Sequence, residues 1–276
     1  WGFSRKTVYD LYQFEGTYQF SSNTPDNVRV FFHAGSIDAR FDNVSTTRKA
    51  NDSYPIIFVN SKADVTMDMS GKNAFYTDVG FGAFNMPSIW VEGELAMKGS
   101  GSTLFHNKDG SQNRAGEITG QLTIDSGDVK FYGGDGSSTP IVHLSGRLYV
   151  NGGNLSFDTG EGAKTAFEGG SFIQNGGNTY INYKFTPWTT IVNGGTLTVT
   201  KNFPENFISG GGSVYYGNNL LTGLTADEEP VYRRFMVSSG IGFDAAVCHR
   251  LLDRSKPGEL RQIPGRGRYI LAGLKQ

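Results

Sequence analysis

The carboxylates are the first side chains in this sequence that could do chemistry. A glycan-cleaving site needs two of them facing one groove, ~5 to 9 Å apart, with one protonated at working pH. Asp125 with Asp128, and Asp158 with Glu161, are the pairs nearest in sequence. Residues three apart in a strand face opposite sides, and both pairs flank glycine turns, so turn capping is their expected role. His33, His106, His143 and His249 are scattered without ligand spacing, and no metal site is expected from them. Cys248 is the one cysteine, which excludes a disulfide within the chain. It follows Asp244 on a predicted amphipathic helix with no motif nearby that would lower its pKa. A small apolar role is expected of it rather than a nucleophilic one.

The aromatic residues are the better lead. Tyr132, Tyr149, Tyr180, Tyr183 and Trp188 fall close together, interleaved with asparagines. An exposed aromatic row with amide neighbours would stack sugar rings and hydrogen-bond their hydroxyls, so these five are the candidate glycan-binding residues. The competing role is stacking in the interior, because alternation turns half of each strand inward.

The elements that must position these residues are strands and turns. Glycine makes up 38 of 276 residues, charged residues are 18% and aromatic residues 13%, a composition rich in turns and strands. Twenty-five basic residues stand against 26 acidic ones, so no net field favours nucleic acid or a membrane surface. No apolar run reaches the ~18 residues of a spanning helix. The first residue is Trp1, and no charged segment followed by an apolar one precedes the domain, so a signal peptide is expected to be removed or absent.

A short unit repeats through the middle of the chain. The segments starting at Ile124, Val150, Gln174 and Val192 have a common form: apolar (Gln in the third), Asn or Asp, small, Gly, polar, then an alternating strand. Their marker glycines are Gly127, Gly153, Gly177 and Gly195, spaced by 26, 24 and 18 residues. Looser copies start at Val91 and Ile208. One unit is too short to fold alone, and a repeat of this length buries its apolar face only against its neighbours. The fold class expected is mainly β: a β-solenoid with glycine-turn repeats, plus a short α/β C-terminal segment. Stacked coils would align Asp125, Asn151, Asn175 and Asn193 as an amide ladder, with rungs about 4.8 Å apart. An antiparallel sandwich or barrel with glycine turns is the alternative, but the spacing exceeds that of hairpins. The expected organisation is a β-rich cap or opening coils over 1–85, solenoid repeats over 86–225, a linker over 226–230 and a separate segment over 231–276. The acidic run Asp227, Glu228, Glu229 before Pro230 marks the linker.

Residues 90–220, with phrases such as Asn-Gly-Gly-Thr-Leu-Thr-Val at 193–199, resemble the passenger and adhesin β-helices of bacterial surface proteins and the shafts of phage tailspikes. The resemblance implies an extracellular, cell-surface or virion-surface scaffold that binds a glycan or a host or cell-surface protein.

Residues 231–276 have a different composition. They carry nine basic side chains against three acidic ones, which leaves 16 basic and 23 acidic before them. The run Gly240-Ile-Gly-Phe-Asp-Ala and the later Tyr269-Ile-Leu-Ala-Gly-Leu-Lys resemble the C-terminal domain of diacylglycerol kinase-like lipid kinases. That resemblance implies, as the alternative function, ATP-dependent lipid phosphorylation with ATP and Mg in a cytoplasmic protein. Its phosphate loop would be Gly133, Gly134, Asp135 and Gly136, since a glycine-rich loop after a strand can turn backbone N–H groups toward a phosphate. Ser137 stands where the family has Thr, Pro140 interrupts the helix that should follow, and further family motifs are missing, so a coil corner is the expected role of this loop. The contrast between the two parts suggests a fragment or a fusion, with the active site incomplete and no cofactor expected. Arg233, Arg234, Arg266 and Arg268 could contact an anionic lipid or phosphate, with a solvated basic face as the alternative. Limited proteolysis read by intact mass should leave a resistant core ending near Ala226 and release the basic tail. A protected tail would place both parts in one domain.

Overall fold

The computed structural model describes residues 18–21, 28–49, 54–78, 86–107, 114–133, 139–158, 167–200 and 211–216, and the backbone of 7–11, 17, 159 and 219–221. The chain divides into two units, Trp1–Tyr232 and Arg233–Gln276. The second unit lies outside the described residues, and so do the expected linker, Cys248, His249 and the kinase-like segment.

The described residues are strands and turns, with no helix among them. Strands β1 (Thr7–Leu11) and β2 (Thr17–Ser21) both pair in parallel with the long β3 (Val28–Asp42). After β4 (Ser45–Arg48), the long β5 (Ile57–Ser70) lies on β3 with a bulge between Phe32 and Ala34, and β6 (Lys72–Thr77) lies on β4. Five three-stranded turns follow. They are β7 (Ile89–Val91), β8 (Glu94–Gly99) and β9 (Ser102–Asn107); then β10 (Gly116–Ile118), β11 (Gln121–Ile124) and β12 (Asp128–Gly133). Next come β13 (Val142–Leu144), β14 (Arg147–Val150) and β15 (Asn154–Thr159); then β16 (Phe167–Glu168), β17 (Ser171–Gln174) and β18 (Asn178–Ile181). The fifth turn is β19 (Phe185–Thr186), β20 (Thr189–Val192) and β21 (Thr196–Val199). Strand β22 (Ser213–Tyr216) continues the stack on β21 in parallel, and β23 (Asn219–Leu221) closes on β22 antiparallel.

This is a parallel β-solenoid, as the repeat predicts. The first two strands of each turn join one sheet, and the third strands form a second sheet from β4 to β23. Asp128 pairs with Asn154, Asn154 with Asn178 and Asn178 with Thr196. Those steps are the 26, 24 and 18 of the sequence repeat. The shortest step arises at one corner, where 182–184 replaces the longer connections 134–141 and 160–166.

Two corners use glycine for different reasons. At the corner between second and third strands, Gly127, Gly153, Gly177 and Gly195 all have φ between 67° and 83°, a region that costs an L side chain energy. A Cβ on Gly153 would also run into the Gly127 carbonyl of the turn before. The segment at Val91 belongs to the other corner, between first and second strands. There Val91 pairs with Ile118 in register, and Gly93, Gly120 and Gly146 pack against carbonyls of the preceding turn. It is therefore not a copy of the Asn-Gly-Gly corner. Val91-Glu-Gly-Glu-Leu has three residues between its apolar positions and Val150-Asn-Gly-Gly-Asn-Leu has four, so the two corners are alike in sequence but for one residue.

Alternation sends every second side chain into the space between the sheets. The interior carries a phenylalanine column on the second sheet. Phe75, Phe105, Phe131 and Phe157 are fully buried, with successive rings 5.3, 5.1 and 5.4 Å apart and within 22° of parallel. Val65, Leu95, Leu122, Leu148 and Phe172 line the first sheet in the same way. Phe131→Ala removes a ring from the middle of the stack and opens a cavity that both neighbours border. Urea unfolding should show a loss of about 3–5 kcal/mol.

Candidate functional site

The outer face of the second sheet brings together polar, aromatic and charged columns at the spacing of the strands. Three hydrogen-bonded ladders run along the stack. In the first, which sits at the corner on the first-sheet side, Asn151 Nδ2 donates to Asp125 Oδ1 (2.8 Å), Asn175 to Asn151 (2.9 Å) and Asn193 to Asn175 (2.8 Å). This is the ladder that the sequence alignment predicts. Across the glycine strip a second ladder runs from Asn178 to Asn154 (3.0 Å) to Asp128 (2.7 Å). A third runs from Thr200 to Asn182 (3.2 Å) to Asp158 (2.9 Å), and Lys130 Nζ holds the other Asp158 oxygen at 2.9 Å.

Each ladder starts on an aspartate for a physical reason. An asparagine in the column donates downward and accepts from above, and the first member needs only to accept, which a carboxylate does well. Asp125, Asp128 and Asp158 therefore serve as ladder ends, accepting from side chains of the next turn; Glu161 lies outside the described residues. An interior Asn spends one N–H and one lone pair on its neighbours. The other N–H and the second lone pair remain for a ligand on the solvent side.

The five candidate aromatics do not share one face. Tyr132 belongs to an outward column with Tyr76 and His106; its ring lies 4.9 Å from the His106 ring at 11°, and the Lys130 ammonium stands 5.4 Å from its centroid. Those contacts occupy ring area that a sugar would need. Tyr149 faces outward on the first sheet, in a column with Thr123 and Ile173. Tyr183 follows β18 at φ 116° and packs against the core. Trp188 is 70% exposed at the corner between β19 and β20, away from the second sheet. Tyr180 is the one of the five that keeps the expected arrangement. It is 45% exposed on β18, between the small residues Ser156 and Thr198 of the adjacent strands. Asn154 and Asn178 flank it on one side, and Asp158 and Asn182 on the other.

Sequence reasoning missed the second and third ladders and the Tyr76–His106–Tyr132 column. The second ladder lies at the same offsets as the first, three residues on, so extending the alignment past the turn would have found it. The aromatic column has no such signal, because its members differ in type and its first step crosses a less regular turn.

Gly133 is buried at the end of β12, where a Cβ would press on the Ile141 side chain, so its place is in a strand that ends at a coil corner. Gly134, Asp135 and Gly136 lie outside the described residues, as do Arg233, Arg234, Arg266 and Arg268. Among the described residues no three His, Cys, Asp or Glu side chains gather closely enough to hold a metal ion. Nor is there among them a helix long and apolar enough to cross a membrane. His143 Nδ1 meets Glu117 Oε1 at 2.6 Å on the first sheet, and Arg114 pairs with the other Glu117 oxygen.

No protein-family model, curated protein or solved structure matches this chain.

The ladders make a test of their own. Asn175→Ala removes a donor and an acceptor from mid-ladder, and Asn193→Ala removes only an end donor. Unfolding free energies should fall by about 1–2 kcal/mol for the first and by roughly half of that for the second. Equal losses would mean that the ladder bonds are not the source.

Proposed function

We propose that this chain is a non-enzymatic surface module that binds a glycan across the outer face of its second sheet. The observation that supports this reading is the exposed Tyr180 ring set between two amide ladders. A sugar presents an apolar C–H face and a rim of hydroxyls. The ring meets the face through dispersion and its π-system, and the spare amide N–H groups and carbonyl lone pairs meet the rim. Repetition at the rung spacing suits an extended chain of sugars rather than an enclosed small molecule, and such an open face lacks the burial that gives small-ligand pockets their affinity. An extracellular, cell-surface or virion-surface location fits this role, with the solenoid as a rigid spacer that repeats the same columns along its length.

A glycan-array screen of the full chain, followed by calorimetric titration of the best hit, tests the reading. Tyr180→Ala should weaken binding at least about tenfold, roughly 1.4 kcal/mol. Because the ring is outside the core, unfolding stability should change by less than about 0.5 kcal/mol. Absence of any retained glycan, or full affinity in both Tyr180→Ala and Asn178→Ala, would sink the proposal.

A further inference from the structure

The last residue of β4, Arg48, is a buried cation with half of its guanidinium unused. Its side chain is 1% exposed, and that of Arg29, near the start of β3, is 2% exposed. Both stand at the corner where the second sheet leads back to the first. One turn further on, Thr77 is the register partner of Arg48, and there the same corner is closed by neutral groups, with the Thr77 and Ser88 hydroxyls 2.8 Å apart. The polar corner is therefore continuous, but its first turn carries charge.

Arg48 Nη1 donates to the Tyr54 carbonyl at 2.7 Å. Its Nε and Nη2 are buried and have no hydrogen-bond partner. These two nitrogens form one edge of the planar guanidinium, the fork that takes two oxygens through parallel N–H···O bonds. The group keeps its charge: burial first, and the nearby Arg29 second, lower its pKa to about 10, still well above neutral pH. Burial also lowers the Arg29 pKa. A buried cation beside a like charge, with its fork unfilled, is costly to keep. An anion in that fork would remove the cost.

We propose that Arg48, together with Arg29, forms a binding site for an oxyanion that presents two oxygens side by side, the chemistry shared by inorganic phosphate and the carboxylate of an acidic sugar. The Nε and Nη2 edge of Arg48 takes the two oxygens, and Arg29 supplies a second positive charge. The Tyr54 carbonyl holds the Arg48 plane from its other side. Tyr54 itself is 55% exposed, which puts the site one residue from solvent. Nothing in this site overlaps Tyr180 or the ladders around it, so the two proposals stand or fall separately.

Thermal unfolding of the full chain in chloride, inorganic phosphate and glucuronate at matched ionic strength tests the site. At ten times the dissociation constant the bound anion should raise Tm by about 3–6 °C over chloride, and the effect should saturate. An effect of phosphate alone identifies free phosphate as the source, and an effect of glucuronate identifies the sugar carboxylate. Arg48→Lys keeps the charge but removes the fork, and should lose the increment. Equal Tm in all three salts would overturn the proposal, as would an undiminished increment in Arg48→Lys, because the anion would then sit elsewhere on the chain. If that variant does not fold, the phosphorus resonance of phosphate titrated with the wild-type chain decides. One phosphate bound per chain supports the site, and no binding of either phosphate or glucuronate overturns it.

Discussion

Parallel pairing in strict register is the constraint on which the rest of this structure depends. Each turn lies on the one before it with equivalent residues in contact, at the ~4.8 Å separation of hydrogen-bonded strands. Side chains of one column are therefore forced together whether or not they attract. A column is stable only if its members tolerate their own kind as neighbours. Phenylalanines do so by stacking, as Phe105, Phe131 and Phe157 do. Asparagines do so by donating to one neighbour and accepting from the next. Charges of one sign do not, and along the outer face of the first sheet Arg40, Asp68, Lys98 and Asp125 alternate in register.

The same constraint explains the glycines. Where second strand meets third, the chain turns on a residue with positive φ, and the turn below comes so close that its carbonyl leaves no room for a side chain. At the next corner the backbone conformation is ordinary at Gly93, Gly120 and Gly146, and close approach alone excludes a Cβ. Connections between third strand and next first strand absorb the variation in length, from 134–141 down to 182–184, while the ladders on either side stay in register.

Stacking also determines which outward residues remain usable. A ring whose column neighbours are also rings spends its faces on them, and Tyr132 beside His106 is such a case. A ring whose neighbours are Ser156 and Thr198 stands clear, as Tyr180 does. The same logic isolates Arg48 inside. Its register partner is the short neutral Thr77, which cannot supply the anion that a buried guanidinium needs.

The solenoid, the turn-to-turn steps, the glycine corner and the first amide ladder were all legible in the amino-acid order, because each is a local pattern repeated at the offset of one turn. Residues 124–199 carry it four times, and any fold that stacked them differently would break the alternation. The corner at Gly93 and the corner at Gly127 were set apart there by a single residue of length, and their difference in backbone conformation and in the approach of the preceding turn came only with the fold. Folding was needed to settle which tyrosine keeps a free face, and to put two arginines 19 residues apart in sequence into one buried corner. Both outcomes depend on what lies in the adjacent turn, 18 to 29 residues away. A side chain's type fixes what it can do; its neighbours in the adjacent turns, which only stacking assigns, fix what it is left free to do.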